Sequence, residues 1–329
     1  MMTGTKAGHI VALCGGIGGA KLVLGLSRVL APEQLTVVVN TGDDFEHLGL
    51  HISPDLDTVL YTLGGMADPE RGWGRAGETW NFMQALAGLD GENWFHLGDR
   101  DLAIHATRTS FLREGGTLSA FTAQAARKLG ISVQTVPMSD DAVRTIVQTE
   151  EGDLPFQHYF VRRRCEPVVK AIRFEGARSA SPAPGVLELL ANPAVHAIVI
   201  CPSNPYLSID PILSVPGIRD ALAKSKAPVI AVSPIIGGQA VKGPTVKIMR
   251  ELGVSVTTET IVAHYRGLID ALVIDRADTG DATCAGLPVL VTRTMMKSLA
   301  GRERLARAVL DFAEDLQASS CDKRATADA

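Results

Sequence analysis

The chain has 329 residues, and 32 Lys and Arg residues against 36 Asp and Glu residues give it a formal net charge of −4. This balance argues against a general nucleic-acid binder, which normally carries a strong basic excess. A hydrophobic fraction of 46% is typical of a globular protein with a substantial core. No apolar run approaches the roughly 18 residues that a membrane-spanning helix needs. We therefore expect neither a nucleic-acid partner nor membrane association.

The cysteines indicate the redox environment. Cys14, Cys165, Cys201, Cys284 and Cys321 are odd in number, scattered and without CxxC spacing. This pattern favours neither a zinc site nor a disulfide framework. We expect reduced thiols and a cytoplasmic protein.

The first 40 residues predict a βαβ unit. Residues 9–13 form a short apolar run, a glycine-rich turn and an amphipathic helical pattern follow, and residues 36–39 form a second apolar run. Apolar strands without alternation are typical of a parallel sheet that is covered on both faces. The fold class is therefore α/β, a Rossmann-like parallel sheet with helices on both faces.

Later segments extend the same sheet. Buried-strand runs occur at residues 197–200, 228–232 and 272–274, and each run ends in a polar or glycine-rich turn. In open parallel sheets, ligands bind beyond the carboxyl ends of the strands. We expect these turns to line the site.

The middle of the chain has a different pattern. We predict a Rossmann-like core from residues 8–63 and 162–315, an inserted and mainly helical segment at 64–161, and a disordered tail at 316–329. Within the insertion, the patterns predict helices at 78–86 and 118–129, and strands at 143–149 and 157–161 that are joined by a hairpin turn.

The glycine-rich turn is a candidate phosphate cradle. Gly15, Gly16, Gly18 and Gly19 lie between the first strand and the first helix, where backbone amides and the helix dipole favour anions. Lys21 adds a positive charge. The alternative is a tight strand-to-helix turn with a surface lysine. Four glycines in five residues favour the cradle.

The turn matches neither common nucleotide-binding motif. In the dinucleotide fingerprint, Lys21 replaces the third glycine and Asn40 replaces the acidic residue that binds ribose. In a P-loop, Ala20 stands where glycine is needed and Leu22 replaces the Ser or Thr that binds Mg²⁺. These departures weaken the hypothesis of a nicotinamide dehydrogenase.

Two acidic motifs predict a metal site. Asp43 and Asp44 follow the second strand, and Asp55 and Asp57 stand two residues apart shortly afterwards. Mg²⁺ takes one or two protein carboxylates, keeps water molecules and bridges phosphates. The alternative is that Asp55 or Asp57 simply caps a helix.

A third polar motif centres on Arg100. Its guanidinium could make forked hydrogen bonds to an acidic or carbonyl-rich ligand. The alternative, equally open, is a local ion pair with Asp99 or Asp101.

Taken together, the motifs resemble one family, the CofD-like 2-phospho-L-lactate transferases of deazaflavin coenzyme biosynthesis. The matching segments are residues 15–22, 40–44, 54–58, 97–102, 137–140, 202–205, 233–238 and 242–244. Residues 63–81 are more similar to the bacterial, FbiA-type members than to archaeal ones.

The resemblance implies a reaction. The donor would be a guanosine diphosphate-linked hydroxyacid or enol, and the acceptor would be the deazaflavin Fo. The terminal ribityl hydroxyl of Fo would attack the phosphorus nearer the acid, and GMP would leave. Mg²⁺ and a homodimer are implied as well. A regulatory, nucleotide-binding protein of the same fold without turnover is the alternative.

The resemblance also implies roles for residues. The glycine loop and Lys21 would hold the diphosphate. Mg²⁺ would be held by Asp43, with Asp44 or Asp57. Asp57 and Arg100 would contact Fo, and Asp57, with Asp43, would act in catalysis. Ser203, Asn204, Gly237 and Gly238 would face the guanosine and phosphates.

Overall fold

A computed structural model of the protein describes residues 8–240 and 243–327, with residues 284 and 320–327 described by their backbone only. The strands are β1 (His9–Cys14), β2 (Leu35–Val39), β3 (Phe45–His47), β4 (Leu50–Ile52), β5 (Gln134–Pro137), β6 (Arg144–Thr149), β7 (Gly152–Pro155), β8 (Val169–Glu175), β9 (Val195–Ile200), β10 (Val229–Val232), β11 (Ile235–Ile236), β12 (Gln239–Ala240), β13 (Ala271–Asp275) and β14 (Val289–Thr292). The α-helices are α1 (Gly16–Val29), α2 (Pro54–Leu63), α3 (Asn81–Gly88), α4 (Asp101–Arg113), α5 (Leu118–Lys128), α6 (Val186–Ala191), α7 (Asp210–Ser214), α8 (Ile218–Ala223), α9 (Thr245–Glu251), α10 (Thr258–His264) and α11 (Leu299–Ala327).

The central sheet has seven parallel strands in the order β14-β13-β10-β9-β1-β2-β5. The predicted α/β class is confirmed. β2 is buried along its whole length, and β1 is buried from its second residue onward, because helices cover both faces of the sheet. The strand order reverses between β1 and β9, which creates a crevice at their carboxyl ends.

Two separate hydrophobic layers flank the sheet. The helices α1, α2, α5 and α11 pack on one face, and α6 to α10 pack on the other. Within residues 8–240 and 243–327, none of the helices combines the length and the apolar character that crossing a bilayer requires.

Strands of the segment predicted as an insertion, residues 64–161, pair with strands of the predicted core. Its first strand, β5, belongs to the central sheet, where it pairs with β2. Only Thr135 and Pro137 of β5 are buried, so the short edge strand carries too weak an apolar pattern to be recognised. Strand β8, outside the predicted insertion, pairs antiparallel with β6.

The strand predicted at 157–161 is wrong, because the structure has a π-helical turn at His158–Arg162. The hairpin partner of β6 is β7 instead. Phe156 and Tyr159 are both buried, and a spacing of three residues places side chains on one side of a helix but on opposite faces of a strand.

The tail predicted at residues 316–329 overlaps the last helix, and its residues 328–329 lie outside the described residues. Helix α11 continues to Ala327. Leu316 packs against the core, and Gln317 Nε2 donates a hydrogen bond of 2.7 Å to the carbonyl of His196. These contacts anchor residues that look small and polar in the sequence.

The contact between α1 and α11 yields a stability prediction. A Cβ atom added at Gly25 would lie 2.6 Å from the carbonyl carbon of Arg302. Gly25→Ala should therefore lower the free energy of unfolding by about 1–3 kcal/mol, measured by urea denaturation. The matched control is Gly88→Ala, where nothing lies within 4 Å of the added atom and helix propensity should add about 0.5–1 kcal/mol. Equal stabilities of the two variants would contradict the close packing.

Candidate active site

A cavity of about 650 Å³ opens at the carboxyl ends of the central strands. The sequence-predicted residues that line it are Gly15, Gly16, Gly18, Lys21, Asp43, Asp57, Ser203 and Asn204. The remaining candidates, Gly19, Asp44, Arg100, Gly237 and Gly238, lie outside its lining. The cavity also contains several side chains that the sequence does not single out.

The first turn of α1 forms one end of the cavity. The Gly15 amide donates to Ser203 Oγ at 3.2 Å, and that hydroxyl donates back to the Gly15 carbonyl at 2.8 Å. The Gly16 amide donates to the carboxylate of Asp55. Helix geometry provides no acceptor for the amides of Ile17 and Gly18, and both residues line the cavity. These two amides are suited to an anion.

Two of the glycines are explained by packing. A Cβ atom at Gly18 would collide with the carbonyl oxygen of Pro202, and one at Gly19 would lie 2.6 Å from Ser203 Oγ. Glycine is therefore required at these positions for α1 to approach the turn after β9. Only Gly18 also faces the cavity.

Asn40 holds Asp55 in place. Its Nδ2 donates to Asp55 Oδ2 at 2.9 Å, and its Oδ1 accepts from the Gly42 amide at 2.8 Å. An aspartate at position 40 would instead set a second carboxylate against Asp55. The residue that departs from the dinucleotide fingerprint thus has a structural role.

Asp43 and Asp55 form a desolvated pair of carboxylates in the cavity wall. Burial, reinforced by the charge of Asp55, raises the pKa of Asp43 well above its usual range. Burial also raises the pKa of Asp55 to about 6, although hydrogen bonds from Asn40 and Gly16 oppose the shift. Asp43 Oδ1 is buried and has no hydrogen-bond partner among the described residues. A cation at this place would stabilise both ionised groups.

Asp44, a predicted metal ligand, has one carboxylate oxygen in hydrogen bonds, while its Oδ1 atom is buried without a hydrogen-bond partner among the described residues. Its Oδ2 atom accepts a 2.7 Å hydrogen bond from Ser53 Oγ and lies 3.1 Å from His51 Nε2. These contacts tie the β3–β4 hairpin to the start of α2, and Asp44 does not line the cavity.

The carboxylates of Asp43 and Asp55 fit the needs of Mg²⁺, which takes one or two protein carboxylates together with water and phosphate oxygens. No group of three His, Cys, Asp or Glu side chains arranged to hold a metal occurs in the described part of the chain. A softer metal that needs several nitrogen or sulfur ligands does not fit this wall.

Asp57 belongs to a second polar cluster. Unlike the pair of Asp43 and Asp55, this cluster contains basic side chains beside its carboxylates. Asp57 Oδ1 pairs with Arg108, and Asp57 Oδ2 lies 3.6 Å from His105 Nδ1. His105 Nε2 lies 3.1 Å from Asp101 Oδ2, and the Tyr61 hydroxyl donates a hydrogen bond to Asp101. Arg108 and His105 are almost fully buried. The cluster positions the Asp57 carboxylate rigidly in the cavity wall.

The cluster changes the acidity of its members. Burial raises the pKa of Asp57, although the charges of Arg108 and His105 oppose it. For Asp101, hydrogen bonds from His105 and Tyr61 outweigh burial and lower the pKa. Asp57 is therefore the stronger base of the two carboxylates.

Sequence reasoning missed this cluster, although a signal for it exists. Asp101, His105 and Arg108 recur at the i, i+4, i+7 spacing that places side chains on one face of α4, and Asp57 and Tyr61 have the i, i+4 spacing on α2. What the spacing cannot show is that the two polar faces meet.

Arg100, which was predicted to contact Fo, lies outside the cavity lining. It is exposed just before α4, its backbone amide donates to Glu78 at 2.7 Å, and its guanidinium lies beside Gly77. Neither neighbouring aspartate pairs with it within the described residues, since Asp99 accepts hydrogen bonds from the start of α3 and Asp101 belongs to the Asp57 cluster. The arginine that contacts Asp57 is Arg108.

The Gly237–Gly238 turn was predicted to face the guanosine and phosphates, and its amides have an acceptor within the protein. Both residues have positive φ angles, 58° and 68°. Their amides donate to Asp278, at 3.0 and 3.3 Å. An internal carboxylate thus occupies the amides that were expected to face phosphates. From the same hairpin, Ile236 lines the cavity instead.

Asn204 has a divided role. Its Oδ1 atom accepts from the amides of Tyr206 and Leu207, at 3.0 and 3.2 Å, and so caps the next helical turn. Its Nδ2 group is buried without a hydrogen-bond partner among the described residues. Because Asn204 lines the cavity, this group can donate to a ligand.

Aromatic side chains form part of the cavity wall. Trp73, Trp94, Phe95 and Phe160 line the cavity, and Trp94 packs edge-on against His158 at 4.7 Å between ring centroids. A wall of this kind suits a planar, largely apolar ring system. The cavity therefore combines an anion-binding end with an aromatic end.

The buried Asp57–Arg108 pair yields a stability prediction. Arg108→Gln leaves the carboxylate without its counter-charge, so the free energy of unfolding should fall by about 3–5 kcal/mol. Adding Asp57→Asn should recover at least about 1 kcal/mol, because the two residues are coupled. Urea denaturation of the four proteins in this cycle measures the effect.

The control for this cycle is Arg100→Gln. An exposed arginine should change stability by no more than about 0.5 kcal/mol. Strict additivity of the two substitutions at Asp57 and Arg108 would contradict the pair.

Comparison with known proteins places this chain in a family. A family model described as "2-phospho-L-lactate transferase CofD" matches residues 10–286. A Streptomyces griseus protein named phosphoenolpyruvate transferase is 42% identical over 319 residues, which cover 94% of this chain and 100% of that protein. A Methanosarcina mazei protein named 2-phospho-L-lactate transferase is 40% identical over 272 residues, which cover 83% and 88%.

The solved structures agree at the level of the fold. A Bacillus halodurans protein of the UPF0052 family superposes with a TM-score of 0.61 at 16% identity, covering 93% of this chain and 100% of that one. The family model, by contrast, spans most of the sequence, and both relatives align along most of their length. The chain therefore belongs to the CofD family of transferases.

Proposed function

We propose that the protein transfers a phospho-hydroxyacid or phosphoenolpyruvyl group from a guanosine diphosphate-linked donor to the deazaflavin Fo and releases GMP. The observation that carries the proposal is that one cavity joins the first turn of α1 and two buried carboxylates to an aromatic wall with Asp57 beside it. The names of the relatives support the same class of reaction.

The donor would lie at the glycine end of the cavity. The amides of Ile17 and Gly18, the helix dipole and Lys21 all favour a diphosphate there. Asp43 and Asp55 would hold Mg²⁺, which when bound neutralises charge on the diphosphate. Asn204 Nδ2 is a further donor to this part of the ligand.

The acceptor would lie at the aromatic end. Trp94 and Phe95 would contact the planar ring, so that the ribityl chain extends towards Asp57. Asp57 Oδ2 is buried and has no hydrogen-bond partner among the described residues. It would accept the proton of the ribityl hydroxyl as the oxygen bonds to the phosphorus nearer the acid, while the bond from that phosphorus to the GMP oxygen breaks.

The role of Asp57 is tested with Fo, Mg²⁺ and the lactyl or enolpyruvyl donor. The protein should release GMP and form the phosphodiester, detected by mass spectrometry. Asp57→Asn should lower kcat about 100-fold or more, with little change in KM for the donor, because it removes the proton acceptor.

The matched control is Asp153→Asn, at an exposed carboxylate that pairs with Arg173 on the surface. It should leave kcat unchanged. Donor binding without any GMP release would contradict the proposal and favour a regulatory protein. Normal turnover by Asp57→Asn would reject only the role of Asp57 and would leave the proposed reaction standing.

A further inference from the structure

Arg164 is the third of three consecutive arginines, and it is the one of the three that lines the ligand cavity. Arg162 lies 3.8 Å from Glu92, and Arg163 pairs with Glu151 at 2.5 Å. Arg164 lines the cavity, and within residues 8–240 and 243–327 no acidic side chain pairs with it. The sequence alone favours a solvated, basic surface for all three residues.

The backbone at this point has an unusual conformation. Arg164 and Cys165 have φ angles of 50° and 58°, in the left-handed region that residues with a Cβ atom rarely occupy. The Cys165 amide donates to the carbonyl of the buried Tyr159 at 2.9 Å, and the Glu166 amide donates to the Arg163 carbonyl at 2.8 Å. These hydrogen bonds hold the turn in a conformation that a glycine would adopt more easily.

The charged side chains that line the cavity indicate what Arg164 can bind. Asp43, Asp55, Asp57 and Asp101 all line the cavity, and so do Lys21 and Arg164, together with His96 and His105. Asp57 and Asp101 already pair with Arg108 and His105, and Mg²⁺ is proposed to counter Asp43 and Asp55, so the charge of Arg164 is available to an anionic part of the ligand. Lys21 belongs to the glycine end, where the diphosphate is proposed to bind.

Arg164 belongs to a different wall. Phe160 and Val161, just before it in the chain, line the cavity, and the turn that carries them packs against Trp94 through His158. The same turn also reaches Asp43, whose carbonyl accepts a 3.5 Å hydrogen bond from Gln157 Nε2. The ligand therefore meets a second basic group beside the aromatic side chains. A guanidinium provides a planar pair of donors that matches a carboxylate.

We infer that Arg164 binds the carboxylate of the transferred acid and thereby selects donors that carry one. This inference rests on the proposed function, since it assigns the acid end of the proposed donor. Arg164 is accordingly a specificity-determining residue. It anchors the end of the donor that is retained in the product and does not act on the GMP that leaves.

The test compares two ligands that differ in the acid. Calorimetric titration in the presence of Mg²⁺ measures the affinities for GDP and for lactyl-diphosphoguanosine. Arg164→Gln should weaken binding of the lactyl donor about 10- to 100-fold, the usual value of a hydrogen bond to a charged group. It should leave the affinity for GDP within about twofold. Arg163→Gln, the matched control, should change neither affinity.

A second variant excludes a folding artefact. Arg164→Gly accepts the left-handed backbone without strain, so its melting temperature should equal or exceed that of the wild-type protein while its donor binding falls as in Arg164→Gln. Equal losses for GDP and the lactyl donor, unchanged donor binding, or a selective loss of Fo binding would each overturn the inference. Failure of the wild-type protein to release GMP would instead refute the proposed function.

Discussion

The site depends on the carboxylate of Asp55, which is buried at the N-terminus of α1. It accepts hydrogen bonds from Asn40 and from the Gly16 amide, so it joins the end of β2, the start of α1 and the start of α2. The same carboxylate explains Gly15, because a side chain there would lie 2.6 Å from Asp55 Oδ2. It also raises the pKa of Asp43, which makes this end of the cavity a place that favours a cation.

The remainder of the cavity follows from where the sheet places its turns. The crevice between β1 and β9 brings the glycine loop beside Ser203. The segment between β2 and β5 contributes the Asp57 cluster and all of the aromatic wall except Phe160, which follows β5. Phosphoryl transfer needs mainly positioning and neutralised charge. A parallel sheet with one large inserted segment supplies these two requirements from separate parts of the chain.

The fold could be predicted because strands buried on both faces leave unmistakable apolar runs, as in residues 36–39 and 197–200. The carboxyl ends of these strands also predicted where the cavity lies. The partners of individual side chains could not be predicted, because they depend on how distant faces meet: Arg108 reaches Asp57 from 51 positions away in the sequence, and Asp278 reaches the Gly237 amide from 41 positions away. The sequence motif around the exposed Arg100 suggested a ligand-binding arginine, whereas in the folded protein it is Arg108 that pairs with Asp57.

The central claim is that the cavity holds a magnesium-bound diphosphate at its glycine end and presents a hydroxyl beside Asp57 at its aromatic end. A crystal structure of the protein with GDP, Mg²⁺ and Fo tests this most directly. The account predicts the diphosphate at the amides of Ile17 and Gly18, the metal on Asp43 and Asp55, and the terminal ribityl oxygen within hydrogen-bonding distance of Asp57. A diphosphate bound away from the first turn of α1, or an Fo ring outside the wall formed by Trp94 and Phe95, would contradict it.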